Sequence, residues 1–186
     1  MRRLLALLAL AVSAAPARAV EEPKFQQLAV WGDCELRAYA ALVVAETTIQ
    51  SGRGEAGWYG FRRLAGYIFG GNVRSEKIEM TAPVLETPEG AGWKIRFTMP
   101  EQHTLESLPK PNEAAVKMRV VPPARVAVIR FSGWASDADF ARKTRELLTC
   151  VSTHGLVPAG PAALAQYDPP WTLGPWRRNE VMVEVK

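Results

Sequence analysis

Two stretches of this chain hold residues whose types and spacing could do chemistry. EKIEMTAPV (76–84) sets Pro83 into a β-rich run, which argues for a sheet edge, a bulge or a strand end. YDPPW (167–171), followed by RRNEV (177–181), stiffens an extended loop with Pro169 and Pro170 and hangs Trp171 and Trp176 on it. Large aromatic rings on a rigid loop give much contact area for little lost entropy, which suits a binding wall. The plainer reading folds both tryptophans back on the core. The catalytic inventory is thin by comparison. His103 and His154 are the two histidines, and neither belongs to a metal-ligand cluster: His154 has only Cys150 four residues before it, and His103 has no His, Cys or paired carboxylate at such spacing. Each reads as an exposed loop residue. The sequence has no G-x-S-x-G elbow or Walker-type phosphate-binding loop, and no C-x-x-C-H for covalent haem attachment. Cys150 and His154 are one helical turn apart, but nothing in the sequence would activate that thiol. Binding is the reading that remains.

The elements that position these stretches follow from apolar periodicity. Strands are expected at 34–39 and 42–50, then a helix at 55–69 with Trp58, Phe61, Ala65 and Ile68 at steps of three and four. Gly70 and Gly71 end that helix. Strands at 78–86 and 93–99 come next; in the second, Ile95, Phe97 and Met99 alternate with Lys94, Arg96 and Thr98. The second half repeats the plan about eighty residues later: strands at 116–120 and 125–131, a helix at 137–151, then strands at 164–167 and 180–185. Ser136 with Asp139 three residues on is a capping start for that second helix. The expected fold is α+β: two pseudo-repeated strand-helix-strand units forming a distorted, mainly antiparallel barrel or curved sheet with two helices.

The N-terminus reads as a secretory signal peptide, residues 1–19: Arg2 and Arg3, an apolar run at 4–12, and Ala17-Arg18-Ala19 at the cut. The run is too short for a membrane span, so the expectation is a soluble exported protein, in a bacterial periplasm, with residues 20–186 as one domain. Arg2, Arg3 and Arg18 leave with the leader and no acid does, so 23 bases against 19 acids become 20 against 19. A near-neutral domain without a basic run is a poor nucleic-acid partner. Cys34 and Cys150 read as two partly buried free thiols; an oxidising compartment permits pairing, but nothing in the sequence places them within the ~7 Å between Cα atoms that a bridge needs.

Beyond these patterns, ELRAY (35–39), GFRRLAGYIFGGN (60–72), EKIEMTAPV, FTMP (97–100), LPKPN (108–112), VAVIRFSG (126–133), YDPPW and RRNEV, in this order, resemble the SOUL haem-binding family over nearly all of residues 20–186. The resemblance implies a twofold repeat forming a distorted barrel, and non-covalent binding of haem or an iron-free porphyrin in an apolar cleft beside the first helix. Carried over, the haem-binding set is Phe61, Arg62, Leu64, Ala65 and Ile68 on the helix, with Met80, Trp171 and Arg177. Arg62, Arg63 or Arg177 would meet the propionates, and ordinary core packing is the competing role for each apolar helix residue. Ala38 stands where one animal branch of the family has a histidine proposed as iron ligand. Met80 or Tyr67 would be the substitutes, and binding without a fixed ligand is the other branch's mode. Alternatives are an interaction module for a peptide or another apolar small molecule, and, behind it, an enzyme acting on an amphiphile.

Overall fold

The computed structural model describes residues 20–186; the leader reading falls outside them. Nine strands and two helices follow in the order β1 Phe25–Trp31, β2 Cys34–Tyr39, β3 Leu42–Ile49, α1 Arg53–Ile68, β4 Val84–Glu89, β5 Gly92–Thr98, β6 Lys117–Val121, β7 Ala124–Phe131, α2 Asp137–Thr153, β8 Ala163–Gln166 and β9 Asn179–Val185. The strands make one sheet, ordered β1-β2-β7-β9-β8-β4-β5-β3-β6, with every pairing antiparallel. Leaving β1 aside, the order reads the same from either end when the two repeats are exchanged. A pseudo-twofold axis therefore passes between β8 and β4, and each repeat lends its first strand to the other's half. The expected α+β repeat is the observed fold.

Periodicity places the elements well where burial is one-sided. Ile95 and Phe97 are buried under α1, while Lys94 and Arg96 alternate onto the other face. The α1 stripe of Gly60, Leu64, Tyr67 and Ile68 packs against Ala45, Ile95 and Phe97. Gly60 is needed for that approach: a Cβ there would lie 2.3 Å from Ile95 Cγ1. Ser136 caps α2 as expected, its Oγ accepting from Asp139 N–H at 3.1 Å. Leu147 and Val151 of α2 pack on Ala127, Ile129, Val181 and Val183. Arg53 ties the two helix starts together, donating to Asp137 Oδ1 (2.5 Å), Glu86 Oε2 (3.2 Å) and the Ala135 carbonyl (2.7 Å).

Two expectations need correction, and one strand has no counterpart among them. Residues 78–83 are not a strand: Ile78 instead donates its N–H to the Ile68 carbonyl, and β4 starts at Val84, immediately after Pro83. A proline has no N–H to give a ladder, so pairing begins beyond it. Strand β1 was not foreseen, because it is an edge strand with Phe25, Leu28 and Val30 exposed and lacks a buried face to pattern it. Cys34 and Cys150 are not free: they form a disulfide, Cα–Cα 6.7 Å, that fastens β2 to α2 across 116 residues of sequence. Burial puts both side chains at one spot, which no local pattern records.

Candidate functional site

Both helices cover one face of the sheet. The other face curls into a half-barrel whose interior is a cavity of about 550 Å³, with residues from all nine strands on its wall. That volume lies within the roughly 300–1,000 Å³ of small-molecule sites. Its floor is an apolar cluster separate from the two helix cores: Val128, Ala165 and Met182, with Leu85, Val126 and Tyr167 packed against them. One row of paired residues crosses this floor, running Arg96–Leu85–Ala165–Glu180. The axis lies between Leu85 and Ala165, so β5 presents a cation where β9, its counterpart, presents an acid.

On the β9 side the charges answer one another. Arg37 donates to Glu180 through NH1 (2.9 Å) and NH2 (3.2 Å) and to Glu35 through Nε (2.8 Å), with Arg37 and Glu180 both buried. The Tyr167 hydroxyl donates to Glu180 at 2.6 Å, and the Arg178 guanidinium lies 3.5 Å over the Tyr167 ring. Burial pushes the Tyr167 phenol pKa well above its ordinary value, and the Glu180 carboxylate adds to it. Tyr39 is raised as well, by burial working against Arg37. The Glu35 carboxyl is lowered by the Arg37 hydrogen bond. Burial alone would lower Arg37, but the hydrogen bonds it donates to Glu180, Glu35 and Tyr39 outweigh it and raise its pKa. On the opposite side two arginines share one carboxylate: Arg96 donates to Glu46 Oε2 (2.9 Å) and Arg119 lies 3.2 Å from Glu46 Oε1. Lys94 pairs with Glu89.

The chain just before β1 straps this mouth. Glu21 accepts from Ala82 N–H (2.8 Å) through its carbonyl and from Glu101 N–H (2.7 Å) through its side chain, and Glu22 pairs with Arg178. Both repeats are thereby tied to one short segment, with Glu22 and Pro23 on the cavity wall.

The expected site residues mostly lie on the other face. Leu64, Ala65 and Ile68 are buried at 0, 8 and 1% exposure, spent on the core against the sheet. Phe61 is half-buried, edge-on to Phe97 with centroids 5.5 Å apart. Met80 packs on the same core. Arg62 is exposed. Arg63 is committed to Thr47 and Glu113. Tyr67 is buried, its hydroxyl donating to the Pro109 carbonyl at 2.9 Å and its pKa pushed up by burial to about 12, so it is no iron ligand as placed. The tryptophans do not fold back: Trp171 is 81% and Trp176 76% exposed. Arg177 holds their loop, donating to the Thr172 carbonyl (2.8 Å) and the Pro170 carbonyl and stacking 4.4 Å over Trp134. Sequence reasoning missed the cavity. Its signal was present in the charged half of each alternation, Glu35/Arg37/Tyr39 and Lys94/Arg96/Thr98, which reads as solvent-facing unless the sheet is known to curl.

A haem would need flat apolar contact, cations for two propionates and a donor for its iron. The cavity offers the first two in the Leu85–Met182 floor and the Lys94, Arg96 and Arg119 side chains. No histidine lines it among the described residues, and Tyr167 is held protonated; Met182 supplies a sulfur. The residues present fit the macrocycle better than they fit its metal.

The fold recurs in solved structures. The C-terminal domain of EcmrR matches with a TM-score of 0.64 at 12% identity, over 87% of this chain and 98% of that one. A hydrolase from Listeria innocua matches with 0.61 at 12% identity, over 83% and 92%. At such identities the likeness is one of fold. No curated relative matches the chain. The SOUL heme-binding protein family matches residues 20–184, almost the whole of the described chain, and the chain belongs to that family.

Proposed function

We propose that this protein reversibly holds a tetrapyrrole, haem or an iron-free porphyrin, inside the half-barrel cavity, as a carrier, buffer or sequestering protein and not as an enzyme. The observation that carries the reading is the cavity itself: about 550 Å³ over an apolar floor, with cations on its wall. Family membership supports the ligand class. Placing the ligand here rather than beside α1 follows from Leu64, Ala65 and Ile68 being consumed by the core. Export to an oxidising compartment such as a periplasm is part of the proposal; the Cys34–Cys150 bridge supports it. Among the described residues no helix is long and apolar enough to cross a membrane.

The test is titration of the protein with haemin, following the Soret band and quenching of tryptophan emission. Saturable binding should be weakened at least tenfold by Ala163→Trp, which fills the cavity, and by Leu85→Arg, which charges its floor. Phe61→Asp and Arg62→Ala on the helix side should leave binding intact. If the pattern is reversed, the ligand sits on α1; if haemin changes no spectrum, the function is wrong. Generic esters should not be turned over.

A further inference from the structure

The cavity is electrically lopsided, and this bears on what it selects. Along the Arg96–Leu85–Ala165–Glu180 row a cation and an acid are separated by three inter-strand steps of about 4.8 Å, with apolar side chains between them. The two ends differ in what they have left to give. At the β9 end three arginines (Arg37, Arg130 and Arg178) face four carboxylates (Glu22, Glu35, Glu180 and Glu184) on the wall, and Arg37, Glu180 and Tyr167 already satisfy one another. At the β5–β6 end Lys94, Arg96 and Arg119 line the wall, while the acids they pair with, Glu46 and Glu89, do not. Even with those two acids counted, three cations against two carboxylates leave a positive excess there. The exchange of Glu180 for Arg96 at equivalent places of the two repeats creates this difference, and the small or apolar residues of β8 and β4 keep the ends apart.

We propose that the cavity is a site for anionic amphiphiles, bound in one orientation: the acidic group against Lys94, Arg96 and Arg119, and the apolar body across Leu85 and Ala165 towards β9. The inference rests on the cavity reading above and goes beyond it in naming the ligand's charge and direction. A tetrapyrrole would enter with its carboxylate edge at β5 and β6. A straight-chain carboxylic acid would meet the same requirement, whereas an ester of either, or a lipophilic cation, would lose the head-group interaction. Because Arg119 is half exposed at the rim, it can be changed without opening the core.

The experiment compares two acid–ester pairs, protoporphyrin with its dimethyl ester and a fluorescent long-chain carboxylic acid with its methyl ester, on wild type, Arg119→Gln, Lys94→Gln, Arg130→Gln and the cavity-filling Ala163→Trp. A charge-assisted contact predicts that each acid binds about ten- to a hundredfold more tightly than its ester. Arg119→Gln and Lys94→Gln should each remove most of that preference, and Arg130→Gln should leave it unchanged. Esters binding as tightly as acids, or a preference abolished by Arg130→Gln and untouched by Arg119→Gln and Lys94→Gln, would overturn the assignment of charge and direction while the cavity remains a site. Binding of all four probes that ignores Ala163→Trp would remove the cavity reading, and this inference with it. Binding of none would do the same.

Discussion

Breaking the Cys34–Cys150 bridge should be the most damaging single covalent change to this fold. The bridge fixes the first residue of β2 to the last turn of α2, across a sequence separation of 116. In the chain-entropy description, closing a loop of that length removes roughly 16 cal/mol/K from the unfolded chain, or about 5 kcal/mol at 25 °C. Removal of native disulfides from small domains costs about 2–5 kcal/mol, against a total stability of about 5–15 kcal/mol. The measurement is equilibrium urea unfolding at 25 °C, followed by tryptophan emission, on the oxidised protein, the same protein under dithiothreitol, and Cys34→Ala/Cys150→Ala. Alanine is chosen because Cys34 is buried and serine would leave a hydroxyl without a partner there. Both unbridged forms should lose a similar amount, since the effect lies mainly in the unfolded state. Their slopes should rise, because an uncrosslinked chain exposes more surface. A loss below about 1 kcal/mol would refute the loop-entropy reasoning. Two thiols titrating in the native, oxidised protein would refute the pairing itself.

Three other perturbations follow from named contacts. Arg37→Met strands the buried Glu180 carboxylate and should cost about 3–5 kcal/mol, whereas Arg37→Met/Glu180→Leu should recover much of it; urea titration of both variants decides, and equal losses would mean the pair is not coupled as drawn. Gly60→Ala forces a methyl against Ile95 and should cost about 1–3 kcal/mol in a thermal melt; an unchanged melt would mean α1 can move off the sheet cheaply. Glu86 has its pKa raised above the usual 4.5, by burial first, against the pull of Arg53 and Gln166. Between 4.5 and the folded value the folded form therefore holds a proton that the unfolded form has lost, so its contribution is full below pH 4.5 and falls as pH rises through the folded value. Wild type should lose stability relative to Glu86→Gln as pH climbs past 4.5, and a difference that is flat with pH would contradict this sign.

The residue pattern alone determined the local architecture. Both helices, the cap at Ser136 and the repeat offset of about eighty residues are legible because each element buries one face, and a buried face imprints a period of two or of about 3.6 on the chain. The family could be seen in the same residues, since ELRAY, EKIEMTAPV, YDPPW and RRNEV carry their order and spacing in plain sight. Three things belonged to the tertiary structure. The pairing of Cys34 with Cys150 and the row from Arg96 to Glu180 join residues far apart in sequence, and no local period encodes which strand lies beside which. The use of α1 is the second: an apolar stripe says that something covers Leu64 and Ile68, but only packing shows that β3 and β5 do so. The curl of the sheet is the third. Lys94, Arg96, Glu35 and Arg37 have the alternation of an exposed face, and the sheet's closing around them turns that face into a cavity wall.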